Sequence, residues 1–316
     1  PGDWLWTSPI TFVASANCAL FCGAEVDFVD IDPVTYNLCP NALEVKLIQA
    51  EKAGKLPKVV VPVHLCGQSC DMKLIKRLAE EYNFKIIEDA SHAIGGQYQS
   101  MPIGNCEYSD ITIFSFHPVK IITTGEGGVA VTNNPDIAER MSVLRSHGIT
   151  RDPLKMTEQA DGDWYYQQIL LGFNYRLTDI QAALGASQLD RLDDYVRCRH
   201  EIADRYDNML VEFPLTTPVN LADCVSAYHL YVIQLQDSSI RKTVFDSLRG
   251  QGIGVNVHYI PVHLQPHYQK IGLSKVGSFP NAELYYSKAI SLPIYPTMTE
   301  KQQDQVVEAL RNALKL

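Results

Sequence analysis

Residues 115–120 read Ser-Phe-His-Pro-Val-Lys, and residues 123–128 read Thr-Thr-Gly-Glu-Gly-Gly. This stretch lies between two short apolar segments, Asp110 to Phe116 and Val129 to Thr132, which predict buried strands. Lys120 is therefore expected in a loop at the end of a strand, where open α/β sheets bind ligands. A lysine there can form a Schiff base with a carbonyl compound, pair with an anion, or simply be solvated.

A second strand with a polar end lies upstream, where residues 84–92 read Phe-Lys-Ile-Ile-Glu-Asp-Ala-Ser-His. We expect Asp89 and Lys120 at the ends of two strands of one sheet, facing one crevice. This pair suits pyridoxal 5′-phosphate (PLP), because a carboxylate keeps the pyridine nitrogen protonated and a lysine carries the cofactor as a Schiff base. The spacing of the two stretches is compatible with a PLP site and also leaves a solvated loop lysine open.

The first part of the chain alternates predicted strands with predicted helices. Strands are expected at Glu25 to Ile31, at Lys58 to Val63 and from Phe84, with helices at Asn41 to Ala53 and Met72 to Tyr82. This alternation is typical of a parallel sheet with right-handed crossovers. The sequence therefore predicts an α/β fold with a mainly parallel sheet.

The last third of the chain predicts a smaller unit. We expect a large PLP-binding α/β domain at residues 1–195 and a small C-terminal α+β domain at residues 196–316. A helix from about Tyr195 to Leu210 would join them. The elements predicted for the small domain are a strand at Tyr228 to Leu235, a helix at Ser239 to Leu248, a strand at Gly254 to Val257 and an amphipathic helix at Glu300 to Leu314.

Composition limits the functional classes. The 316 residues are 46% hydrophobic, and 27 basic against 36 acidic side chains give a formal charge of −9. This balance argues against a nucleic-acid partner. No apolar run approaches the roughly 18 residues of a membrane span, and the N-terminus lacks a signal pattern. The eight cysteines lack C-x-x-C spacing and are expected to be reduced. We therefore expect a soluble cytoplasmic protein without a membrane partner.

Three histidines near the C-terminal end could suggest a metal site. His258, His263 and His267 are spaced five and four residues apart. Pro261 and Pro266 break any helix that could bring the three onto one face. We therefore predict no metal.

Four blocks give the chain a family resemblance. They are residues 8–17 (Ser-Pro-Ile-Thr-Phe-Val-Ala-Ser-Ala-Asn), residues 88–95 (Glu-Asp-Ala-Ser-His-Ala-Ile-Gly), the Lys120 block and residues 172–181 (Gly-Phe-Asn-Tyr-Arg-Leu-Thr-Asp-Ile-Gln). With them the chain resembles, from Thr7 onward, the DegT/DnrJ/EryC1/StrS family of sugar-nucleotide aminotransferases. The run at residues 252–266 resembles the members that act in the pseudaminic acid pathway. The resemblance implies the fold-type-I architecture of PLP enzymes.

The resemblance implies a role for each candidate site residue. Lys120 would hold PLP, Asp89 would face the pyridine nitrogen, and Phe12 would stack on the ring. His92 would bond the ring hydroxyl and Ser115 the phosphate. From the residues alone, Phe12 could equally be a core phenylalanine, and His92 could simply hold its loop.

Three further roles follow from the resemblance. Asn174 would reach the phosphate of the neighbouring subunit's cofactor, which implies a homodimer with shared active sites. Tyr259 and His263 would contact the nucleotide sugar. From sequence alone Asn174 could also be a turn asparagine.

By resemblance, the amino donor is L-glutamate and the acceptor is a UDP-linked 4-keto-6-deoxy-N-acetylhexosamine, aminated at C4. A GDP-linked 4-keto sugar of the perosamine type is the alternative acceptor, and a non-catalytic family member is the alternative from another class. Lys120 excludes the dehydratase branch, which has histidine at that position. The family also places a strand and a helix ahead of Pro1. We therefore expect this sequence to be an incomplete copy that binds PLP weakly or depends on its dimer partner.

Overall fold

The computed structural model describes residues 1–272 and 275–316. Its strands are β1 (Trp4–Thr7), β2 (Glu25–Phe28), β3 (Val59–Val61), β4 (Lys85–Asp89), β5 (Gln97–Tyr98), β6 (Met101–Pro102), β7 (Ile111–Ser115), β8 (Gly128–Val131), β9 (Ile149–Thr150), β10 (Gln167–Gln168), β11 (Leu215–Thr216), β12 (Cys224–Val225), β13 (Tyr231–Leu235) and β14 (Ala289–Leu292). Its α-helices are α1 (Ala14–Phe21), α2 (Pro40–Ala53), α3 (Met72–Tyr82), α4 (Pro135–Leu144), α5 (Asp179–Leu189), α6 (Leu192–Met209), α7 (Arg241–Gly250), α8 (Pro266–Lys270), α9 (Pro280–Lys288) and α10 (Glu300–Leu314). Short 3₁₀ turns lie at Leu65–Gly67, Ser238–Ile240 and Val262–Leu264.

The central sheet has six strands in the order β2-β1-β3-β4-β7-β8. The first five run parallel, and β8 is antiparallel to β7. Leucines of α2 and α3 pack into an apolar core on the sheet, and alanines of α1 pack into another. The predicted mainly parallel α/β fold is confirmed.

Local sequence signals set several helix ends. The Asp71 side chain accepts the Leu74 backbone N–H at 3.1 Å and caps α3, and Asn83 ends that helix with a left-handed backbone. Thr178 and Gln181 form a capping box at the start of α5. These caps explain why the bounds predicted for α3 match the structure.

A second sheet of three antiparallel strands, β11-β13-β14, lies in the C-terminal part. The predicted strand at residues 228–235 begins only at Tyr231, because Tyr228 has a φ of 44°. The strand predicted at residues 254–257 is wrong. Asn256 makes a single bridge to Ser291, and its side chain accepts the Val257 N–H at 2.8 Å, which turns that donor away from the sheet.

The apolar cores cross the predicted domain boundary. One cluster contains only residues from Ile202 onward, and it packs α6, α7 and α10 against the second sheet. Another cluster joins β1, β2 and α1 to Tyr268 and Tyr285. The division between residues 195 and 196 falls in the first turn of α6 and stays a prediction.

Candidate active site

Asp89 ends β4, and two neighbours hold its carboxylate. The Ser15 hydroxyl donates to Asp89 Oδ2 at 2.5 Å, and the Ser91 backbone N–H donates to Oδ1 at 3.1 Å. Asp89 pairs with Ile113 of β7, so the end of β4 lies beside the strand that leads to Lys120. Each carboxylate oxygen has room for a further hydrogen bond. Asp89 is therefore oriented and still able to bind another donor.

Ser15 is a residue that sequence reasoning missed. It is buried on α1, and its Oγ lies 2.8 Å from Thr11 Oγ1. Since the Ser15 hydrogen is donated to Asp89, the Thr11 hydroxyl donates to Ser15. The position of Ser15 within the block at residues 8–17 was the only available signal, because a serine among small residues indicates no chemistry by itself.

Lys120 lies in the turn after β7, where its backbone N–H donates to the His117 carbonyl at 2.9 Å. Ile121 and Ile122, which follow it, are buried and anchor the turn. Burial lowers the pKa of the Lys120 ammonium, and the negative charge of Asp89 opposes this change. Within residues 1–272 and 275–316 no carboxylate forms an ion pair with Lys120. Such an amine is suited to nucleophilic attack and proton transfer.

His92 is buried and has both ring nitrogens occupied. The Cys66 backbone N–H donates to His92 Nδ1 at 3.3 Å, and Tyr259 Oη lies 3.0 Å from His92 Nε2. Burial holds the pKa of His92 well below its usual range, so the ring is neutral at pH 7. Because Nδ1 accepts, Nε2 carries the hydrogen and donates it to Tyr259. The hydroxyl hydrogen of Tyr259 is then available to a ligand.

Two more histidines surround Lys120, and sequence reasoning missed both roles. The ring of His229 lies 4.4 Å from that of His92 between centroids, and His258 Nδ1 lies 2.7 Å from Ser291 Oγ. Burial, reinforced by the positive charge of Lys120, lowers the pKa of His258 to about 4 and holds the pKa of His229 well below its usual range. Both rings are therefore neutral beside the lysine.

Lys120, Arg199, His229, His258 and Tyr259 are among the residues that line a cavity of about 940 Å³. The cavity lies between the turn after β7, helix α6 and the second sheet. Its volume is in the range of small-molecule sites.

The ring of Phe12 lies near that of Tyr259, which lines the cavity with Lys120. Phe12 is 62% exposed, and its ring centroid lies 6.4 Å from that of Tyr259. An open aromatic face can stack on a planar ring. Phe12 is therefore not a core phenylalanine.

Ser115 and Asn174, the two residues predicted to bind a cofactor phosphate, lie in different surroundings. Ser115 ends β7, and its hydroxyl oxygen accepts the His117 N–H at 3.4 Å. Asn174 is exposed on a loop and forms an isolated antiparallel β-bridge with Ser146. It is not among the residues that line the cavity around Lys120. Ser115 therefore lies close to Lys120 in the chain, whereas Asn174 faces outward.

His263 is not brought to this cavity. It is buried against Phe28 and Phe279, and its Nε2 lies 3.0 Å from Glu283 Oε1. In the part of the chain that the structure describes, no group of three His, Cys, Asp or Glu side chains is arranged to hold a metal ion. Nor does any helix of residues 1–272 and 275–316 have the length and apolarity to cross a bilayer.

The residues that are brought together fit PLP. Asp89 can accept a hydrogen bond from a protonated ring nitrogen, Lys120 is a half-buried amine within electrostatic reach of Asp89, and Phe12 presents an open aromatic face. Tyr259, which accepts from His92, places a hydroxyl donor nearby. The arrangement can hold a planar, anionic aldehyde and move protons beside it.

The model of the DegT/DnrJ/EryC1/StrS aminotransferase family matches residues 1–311. The chain is 40% identical to the spore coat polysaccharide biosynthesis protein SpsC of Bacillus subtilis, over 100% of this chain and 80% of the relative. It is 37% identical to the UDP-4-amino-4,6-dideoxy-N-acetyl-beta-L-altrosamine transaminase of Campylobacter jejuni, over 98% of this chain and 78% of the relative.

Solved structures of aminotransferases also resemble the chain. Helicobacter pylori PseC, described as an aminotransferase involved in the biosynthesis of pseudoaminic acid, superposes with a TM-score of 0.90 at 30% identity. The superposition covers 99% of this chain and 80% of PseC.

Proposed function

Because the chain belongs to the DegT/DnrJ/EryC1/StrS aminotransferase family, we propose that it moves the amino group of L-glutamate to C4 of a UDP-linked 4-keto-6-deoxy-N-acetylhexosamine. The family's sugar aminotransferases depend on PLP. The similarity to the Campylobacter transaminase and to PseC supports the choice of sugar. The observation that supports the proposal is that the charge of Asp89, at the end of β4, acts on Lys120 in the turn after the neighbouring strand β7.

When bound, PLP supplies an electron-withdrawing ring that stabilises negative charge at the carbon of the reacting amine. Lys120 would hold the cofactor, and Asp89 would accept the hydrogen bond of the ring nitrogen. Phe12 would contact the ring face and Ser115 would bond the phosphate. His92 donates to Tyr259, whose hydroxyl hydrogen would then be the donor to the ring hydroxyl. Ser15 donates to Asp89 and so keeps the carboxylate turned toward the ring nitrogen.

Lys120 also moves the proton. With PLP and the amino donor bound, Lys120 Nζ would act as the base that takes a proton from the α-carbon of the donor, and as the acid that gives a proton back. A lysine whose pKa is lowered by burial gives up its own proton more readily, which this role requires. His229 and His258 are neutral, so they add no positive charge beside Nζ.

We further propose a homodimer with shared sites. Helices α4 and α5 have no buried residue, although α5 carries Ile180, which is 85% exposed. Leu171 and Tyr175 nearby are 88% and 74% exposed. Exposed apolar side chains at this density mark a protein interface. Asn174 lies among them, and its side chain would reach the phosphate in the partner's site.

The test is a product assay with purified enzyme, PLP and L-glutamate. Separate reactions receive a UDP-linked 4-keto-6-deoxy-N-acetylhexosamine or a GDP-linked 4-keto-6-deoxyhexose, and mass spectrometry and NMR locate the new amine. Amination of the UDP sugar at C4 supports the proposal. Amination of only the GDP sugar overturns the choice of nucleotide, and absence of bound-cofactor absorbance indicates a non-catalytic protein.

A further inference from the structure

Arg199 of α6 is a buried cation without a carboxylate. It is 5% exposed, and its Nη1 donates to the carbonyl oxygens of Tyr228 at 2.9 Å, Ile294 at 3.1 Å and His229 at 3.4 Å. Among residues 1–272 and 275–316, no carboxylate forms an ion pair with it. Buried charges are normally paired, because desolvation is otherwise uncompensated.

Two buried polar atoms at this place also lack partners. The Nε of Arg199 and the Nδ1 of His229 have no hydrogen bond to any residue in the described ranges. Both residues line the cavity that contains Lys120. Unsatisfied buried polar atoms are rare in native proteins, so a pair of them at one cavity requires an explanation.

The charges around His229 have one sign. Besides burial, the positive charges of Lys120 and Arg199 hold the pKa of His229 below its usual range. In residues 1–272 and 275–316, no carboxylate raises the pKa of His229 against these effects. His229 therefore lies within reach of two cations, and this part of the cavity attracts an anion.

A purely structural role explains only part of these contacts. Three carbonyl bonds through Nη1 would fasten α6 to residues 228–229 and 294. They leave the positive charge, the free Nε and the free Nδ1 of His229 unexplained. An anionic ligand satisfies all three.

We propose that Arg199 and His229 form the subsite for the α-carboxylate of the amino donor. This inference rests on the proposed function, in which Lys120 takes a proton from the donor's α-carbon. The α-carboxylate is one bond from that carbon, so it must bind close to Lys120, where Arg199 and His229 line the cavity and each has an unpaired ring or guanidinium nitrogen. A guanidinium can bind both oxygens of a carboxylate, and a neutral imidazole can donate one further hydrogen bond.

The test uses the PLP-loaded enzyme and two readouts that need no sugar. Calorimetry measures binding of glutarate, with glutaric acid monoamide as the weaker-charged comparison. Stopped-flow absorbance measures the half-reaction with L-glutamate and with L-isoglutamine, whose α-carboxylate is an amide. We expect Arg199→Gln to weaken glutarate binding and to lower kcat/KM for L-glutamate, each about 100-fold. The preference for L-glutamate over L-isoglutamine should largely disappear in this variant.

The chain offers a matched control on the same helix. Arg197 is exposed and forms ion pairs with Asp194 and Glu201, so Arg197→Gln should leave glutarate binding unchanged. His229→Phe covers the case in which Arg199→Gln fails to fold, because it leaves the three carbonyl bonds of Arg199 in place. It should weaken glutarate binding about 10-fold.

Unchanged glutarate binding in the folded variants overturns the inference. An effect that appears only as a raised KM for a nucleotide sugar also overturns the inference, because Arg199 would then bind the diphosphate. A failure of the proposed function looks different. The enzyme would still react with L-glutamate in its half-reaction, but no nucleotide sugar would accept the amine.

Discussion

The neutral imidazole of His258 predicts a specific dependence of stability on pH. Burial and the charge of Lys120 lower the pKa of His258 to about 4 in the folded protein, against an ordinary value of 6.5. Between these two values the unfolded chain binds more protons than the folded one. The free energy of unfolding therefore falls as the pH is lowered through this window.

The size of the effect follows from the two pKa values. Proton linkage gives a loss of about 2 kcal/mol from His258 alone when the pH falls from about 7 to about 5. His258→Gln removes this contribution. The variant also loses the contact of His258 Nδ1 with Ser291, which lowers its stability by about 1 kcal/mol at every pH. The pH dependence, rather than the absolute stability, therefore isolates the titration.

The assay is urea unfolding of the cofactor-free protein at the two pH values and at one protein concentration. We expect wild type to lose about 2 kcal/mol more than His258→Gln between pH 7 and pH 5. His267→Gln is the matched control, because His267 is exposed, and it should behave like wild type. Equal losses in wild type and His258→Gln would refute the view that a neutral histidine lies beside Lys120.

Three further predictions concern the site and the dimer. Asp89→Asn should keep bound PLP but lose turnover by several orders of magnitude, because an amide cannot keep the ring nitrogen protonated; near-normal turnover would mean that another residue faces this nitrogen. Mixing Asn174→Ala with Lys120→Ala subunits should restore about a quarter of the sites, because random pairing leaves one intact site in each mixed dimer, and no recovery would place Asn174 in its own subunit's site. Ile180→Glu should shift sedimentation from dimer to monomer, whereas Val45→Glu on α2 should not, and a dimer in both variants would locate the interface elsewhere.

The sequence predicted those parts of the fold that depend on local signals. The predicted bounds of α3 and α10 are correct, because Asp71 and Thr299 cap their N-termini. At the C-terminal ends of the same two helices, Asn83 and Lys315 adopt left-handed backbone. The strand predicted at residues 254–257 is absent. An asparagine side chain takes the N–H there, which no periodicity reveals.

The site was predictable only in part, for a similar reason. Asp89 ends β4 and Lys120 lies in the turn after the neighbouring strand β7, so the topology of the sheet brings them to the same edge. Arg199 and His229 come from α6 and from the segment before β13, and only tertiary packing places them at the same cavity. Their burial and missing partners are properties of that packing and leave no mark in the sequence.

The most direct test of the central claim is to identify the lysine that carries the cofactor. Borohydride reduction of the PLP-loaded enzyme fixes the bond between lysine and cofactor, and peptide mass mapping then locates it. We expect a phosphopyridoxyl group on Lys120. The same group on any other lysine would contradict the assignment of Lys120 and, with it, the active site described around Asp89.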